Sequence, residues 1–80
     1  MFGKGYRGVF SRMGEGLLEK LIEDLKKELE DRPDDPEILY KLGMGYVRLG
    51  KIDSAREIYK KLREIDPQRA KELLDSIYEV

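Results

Sequence analysis

Gly3-Lys4-Gly5 is the first segment whose residue types could do chemistry, because glycines around a lysine are the material of a phosphate-binding loop. The full motif spacing is missing, and no strand-like run precedes it, so a phosphate cradle is not indicated. Glu30, Asp31, Asp34 and Asp35 crowd a short stretch that could attract calcium. Their spacing lacks the central glycine and terminal glutamate of a twelve-residue calcium loop. A helix end followed by an N-cap accounts for the same residues. The chain has no histidine and no cysteine. That removes the commonest general base, the usual transition-metal ligands and any disulfide framework. Ser11, Ser54 and Ser76 therefore have no partner base for nucleophilic catalysis and read as lone surface serines. Most other carboxylates fall at helical spacing from Lys or Arg, the pattern of a solvated face. No enzyme, cofactor or metal is expected.

One cluster has chemistry of another kind. Phe2, Tyr6 and Phe10 interleave with Lys4, Arg7 and Arg12 in the first residues. Aromatic rings stack on bases while cations track phosphates, and the same mixture can lie on an anionic membrane. With only three cations, single-stranded nucleic acid or lipid is the alternative reading. The whole-chain charge gives it no help. Charged residues make up 41% of the chain but cancel to a formal −1, so no long-range field favours a polyanion. No apolar run approaches the roughly 20 residues needed to span a bilayer. No signal-type apolar stretch follows the basic N-terminus, and a cytoplasmic location is expected. The abundance of Lys and Glu with no Asn, Thr or Cys leans toward a thermophile-like composition.

The elements that would position any site are helices. Residues 1–16 form a distinct basic, aromatic segment holding five of the eight glycines. It reads as a weak helix or ordered coil, since each interior glycine costs up to about 1 kcal/mol of helix propensity. From Leu17 the periodicity is strong. Leu17, Leu18, Leu21, Ile22, Leu25 and Leu29 form one helical stripe. Pro33, Asp34, Asp35 and Pro36 end that helix and start the next, with Asp35 as N-cap and Pro36 in the first turn. This second helix runs to about Leu49, and Gly50 suits a left-handed closing residue. A third covers Ile52 to Ile65, with Ile52, Ala55, Ile58, Tyr59, Leu62 and Ile65 inward. Asp66 and Pro67 repeat the cap-and-proline start of a last helix carrying Ala70, Leu73, Leu74, Ile77 and Tyr78. Connections of two to five residues imply antiparallel neighbours.

Pro33 and Pro67 stand 34 residues apart, a spacing that suggests a repeat. Between them, Leu39, Leu42, Gly43, Tyr46, Gly50, Ile52, Ala55, Tyr59, Ile65 and Pro67 match the pattern of a tetratricopeptide repeat. The segment from Pro36 to Arg69 therefore resembles that family, with Leu39 where the family often has Trp. The helix from Leu17 to Glu30 resembles the second helix of a preceding repeat, although Leu21 stands where a small alanine is expected. Residues 2–13 are similar to its first helix only in degenerate form. The last helix looks like the capping helix of such arrays. The resemblance implies an all-α, antiparallel helix-turn-helix solenoid fragment of four to five helices, with residues 17–80 as the helical domain and residues 2–13 as the candidate fifth helix.

The helix from Pro36 is apolar on two stripes, Leu39/Leu42/Tyr46/Leu49 and Tyr40/Met44/Val47. A helix of that kind must be buried on two sides. The resemblance implies that a protein partner is bound in a concave groove. The matching positions are Tyr40, Met44, Val47 and Arg48, with Leu74 and Tyr78 added by the last helix. Tyr40 and Met44 replace part of the Lys/Asn set with which some family members hold a peptide carboxylate. An acidic C-terminal tail is therefore disfavoured as ligand of that groove. Three occupants stay open: the chain's own N-terminal segment, a second copy, or a peptide of another protein. The expected function is a protein-interaction module.

Overall fold

The computed structural model describes residues 14–78, which form four helices and no strand. They are α1 (Glu15–Asp31), α2 (Pro36–Leu49), α3 (Ile52–Ile65) and α4 (Pro67–Ile77). The fold is all-α, of helix-turn-helix design. α2 is its hub, packing against α1, α3 and α4, while α3 and α4 also pack on each other.

Each start and stop has a local cause. Asp35 caps α2, its carboxylate accepting from the Glu37 N–H at 2.9 Å and the Ile38 N–H at 3.3 Å. Pro36 takes the first helical position, where its missing N–H breaks no helical bond. Gly50 ends α2 with φ 81°, a left-handed conformation that a Cβ would strain. The Lys51 N–H then donates to the Tyr46 carbonyl at 2.9 Å, satisfying one of the last exposed acceptors. Asp66 repeats the device for α4 by accepting from the Arg69 N–H at 3.2 Å. It is the only residue between α3 and α4, a tighter link than the two to five residues expected. One residue suffices because Asp66 closes α3 with its backbone, donating to the Leu62 carbonyl at 2.7 Å, while its side chain caps α4.

α1 begins at Glu15, two residues ahead of the expected Leu17. Its buried stripe is Leu18, Ile22 and Leu25, with Leu21 and Leu29 half-buried against the core. Leu17 departs from the expected stripe and is 63% exposed. It lies about 100° around the helix from Leu18, so the face that meets α2 cannot hold both. Ile65 is also corrected from inward to exposed. It is the last residue of α3, and the chain turns at Asp66 before a neighbouring helix can cover it. Ala55 and Leu62 hold the centre of the α3 face, and Ala70, Leu73 and Ile77 that of α4. Ser76 is buried rather than a surface serine. It lies three residues from Leu73, on the inner side of α4, where a small residue lets the helix sit close.

Among the described glycines, Gly43 has the tightest surroundings. A Cβ built there would lie 2.6 Å from Leu73 Cδ2, 2.9 Å from Leu73 Cδ1 and 3.3 Å from Ile58 Cγ2. The absence of a side chain at this one position lets α2 meet α3 and α4 together.

Candidate functional site

The sequence places six contact residues in one groove, and the fold distributes them over two surfaces. Tyr40 and Met44 lie on α2 and are each only 2% exposed. They belong to the same buried cluster as Leu39, Leu42 and Tyr46. Val47, one turn further along their stripe, is half-buried, and Arg48 is exposed. The α2 face thus has a packed base at its N-terminal end and an accessible rim at its C-terminal end. Lys41, beside Tyr40, lies 3.7 Å from Glu37. With both groups substantially exposed, such a pair contributes little.

Leu74 and Tyr78 sit elsewhere. With Arg56, Tyr59, Lys60, Arg63 and Glu64 of α3 they line a depression of about 350 Å³. None of the four α2 residues is among those lining it. Leu74 and Tyr59 are half-buried and form its apolar part, whereas Tyr78, just past the end of α4, is 68% exposed. The Arg56 guanidinium lies 5.9 Å from the centre of the Tyr78 ring, and that of Arg63 lies 5.7 Å from the Tyr59 ring. Both distances are within reach of a cation–π contact. Lys60 approaches Glu57 at 3.6 Å, with both side chains mostly in solvent. The α3 members of this surface were missed in the sequence. Their signal was present, since Arg56, Lys60 and Arg63 recur at i, i+4 and i+7 on one helical face.

Of the acidic stretch at the first turn, Asp35 has structural partners. Asp35 caps α2 and lies 3.8 Å from Arg32. Among the described residues, no group of three acidic side chains is placed to hold a metal ion, and no helix is long and apolar enough to cross a membrane. Phe2, Lys4, Tyr6, Arg7, Phe10 and Arg12, the expected N-terminal contact residues, lie outside the described residues, as does most of the segment 1–16 expected as one candidate cover of the groove.

A family model described as tetratricopeptide repeat matches residues 15–77, which covers all four helices. No curated protein and no solved structure matches the chain.

Proposed function

Because the chain belongs to the tetratricopeptide repeat family, whose repeats are in general protein–protein interaction modules and typically non-catalytic scaffolds, we propose that it binds a protein partner through the face of α2. The partner is a peptide segment of another protein or a second copy of this chain. In this reading Tyr40 and Met44 are the rigid base of the contact, while Val47 and Arg48 are the side chains a partner reaches. The observation that supports it is the two-sided character of α2. Ile38, Leu39, Tyr40, Leu42, Gly43, Met44, Gly45 and Tyr46 are all buried, and the apolar stripe continues to a partly open Val47. A rigid apolar base beside an exposed arginine suits a protein contact, where Arg and apolar anchors carry much of the binding.

Sedimentation equilibrium of the full chain over a wide concentration range tests this reading, with Val47→Asp and Arg48→Glu beside it. Arg48 is exposed and can change without unfolding the helix, whereas Val47 is half-buried against the core, so a thermal melt accompanies its variant. A concentration-dependent dimer that either variant dissociates identifies a second copy as the partner. A monomer at all concentrations leaves the chain's own N-terminal segment or a foreign peptide as occupant, and affinity capture by the wild type that is lost in both variants would identify the foreign peptide. Self-association and capture that both variants leave unchanged would exclude the α2 face. Met44→Asp serves as a contrast. Placing a charge at a position 2% exposed should cost about 3 kcal/mol or more of stability.

A further inference from the structure

We propose that the depression between α3 and α4 is a second docking site, one that takes an acidic peptide segment carrying an apolar anchor residue. The proposal rests on the reading of the chain as a protein-interaction module but uses a different surface from α2. Three observations carry it. First, among the described residues the lining has three cations, Arg56, Lys60 and Arg63, against one acid, Glu64, while the whole chain is −1. This local excess is the complement of an acidic partner. Second, the site is concave. Its volume of about 350 Å³ holds one or two side chains, and Leu74 and Tyr59 give it apolar walls. Third, Tyr78 is a large aromatic left 68% exposed at its edge, and the core does not use it.

The geometry fits carboxylate recognition. Arg56 and Arg63 each lie over a tyrosine ring at 5.9 and 5.7 Å. Ring contacts engage the faces of the guanidinium groups and leave their N–H edges free to donate in pairs to a carboxylate. The Lys60–Glu57 pair is exposed on both sides, so an incoming acid can compete for Lys60. A peptide is favoured over a nucleic acid. Three cations neutralise few phosphates, whereas the apolar walls at Leu74 and Tyr59 suit an apolar side chain carried by a peptide.

The test uses the full-length, ¹⁵N-labelled chain and an acetylated, amidated heptapeptide with a central Leu-Phe pair flanked by Glu and Asp. A control peptide has Lys at every acidic position. Titration at low salt should move the amide signals of α3 and α4 around Arg56, Lys60, Arg63, Leu74 and Tyr78, with micromolar affinity for the acidic peptide and none for the control. Raising the salt to about 0.15 M should weaken binding. The double variant Arg56→Glu/Arg63→Glu should lower affinity at least about tenfold with an unchanged circular dichroism melt. Lys26→Glu on α1, an equal type of charge change away from the depression, should leave affinity as it is. Absence of binding at low salt overturns the proposal and leaves the α2 reading untouched. Shifts confined to Val47 and Arg48 overturn it in favour of the α2 face. Tighter binding of a single-stranded oligonucleotide than of the peptide overturns it in favour of nucleic acid. So does binding that appears only after deletion of Glu79 and Val80, which would make the chain's own end the occupant. A change of sedimenting mass in the double variant, with peptide affinity unchanged, would give the site to a second copy.

Discussion

Gly43 and Gly45 lie two residues apart on α2, yet a methyl group at each would have different consequences. At Gly43 the new carbon would overlap both terminal carbons of Leu73, a residue with no exposure, which would have to shift within the core. The helix-propensity gain of about 1 kcal/mol is outweighed by overpacking of about 1–3 kcal/mol, so Gly43→Ala should destabilise. At Gly45 the nearest atoms are Ile22 Cγ1 at 3.1 Å and Cδ1 at 3.3 Å. A shift of a few tenths of an ångström relieves that contact, and Gly45→Ala should lie within about 1 kcal/mol of wild type. Urea unfolding of both variants checks the contrast, and equal destabilisation would mean that Leu73 can move. Other departures from expectation also belong to this scale. Leu17, Ile65 and Ser76 were misassigned because periodicity gives a stripe its direction but not its width or its end. The outer residue of a pair such as Leu17 and Leu18, and the last residue of a helix, depend on how far the neighbouring helix reaches.

The helices differ in how they begin. α2 and α4 each start with an aspartate whose carboxylate accepts backbone N–H groups, followed by proline. α1 and α3 have no side-chain cap: Gly14 and Lys51 stand at those positions. Asp35→Ala should cost about 1 kcal/mol and Asp66→Ala a similar amount. Lys51→Ala, at a position whose side chain makes no cap bond, should cost far less. Thermal melts of the three variants test this, and a Lys51→Ala loss equal to that of Asp35→Ala would contradict the capping assignment. These starts were legible in the sequence because capping is local: an aspartate, a proline and the following N–H groups are within three residues of one another. The Gly50 stop was legible for the same reason. The single-residue link at Asp66 was not, because it depends on one residue serving two helices at once.

For the whole molecule, the balance of charge and burial has a measurable consequence. Among the described residues, the recorded ion pairs are all local, three or four residues apart, and all at least partly in solvent. Pairs of this kind contribute little and are screened by salt. Stability should therefore rest on the apolar cluster around α2, and unfolding free energies in low salt and in about 0.5 M salt should agree within about 1 kcal/mol. A larger loss in high salt would show that charge contributes more than burial suggests. The same balance bears on binding. A chain with near-zero net charge acts through local excesses, and the α3–α4 depression is one.

The helical class, the four helix spans to within about two residues, the caps and the repeat were determined by the sequence, because each depends on neighbours along the chain or on a fixed helical period. Gly43 was legible as a match to the repeat pattern, but only the fold shows that it admits both α3 and α4. The site residues were decided by tertiary structure. Tyr40 and Met44 read as groove lining by position, but accessibility is a property of what packs over a side chain, and both are buried. Leu74 was read as an apolar residue of the last helix, and Tyr78, read as part of that helix too, lies one residue past its end. Only the packing of α4 on α3 brings them beside Arg56, Lys60 and Arg63, since residues about twenty positions apart meet through helix crossing rather than through any spacing along the chain.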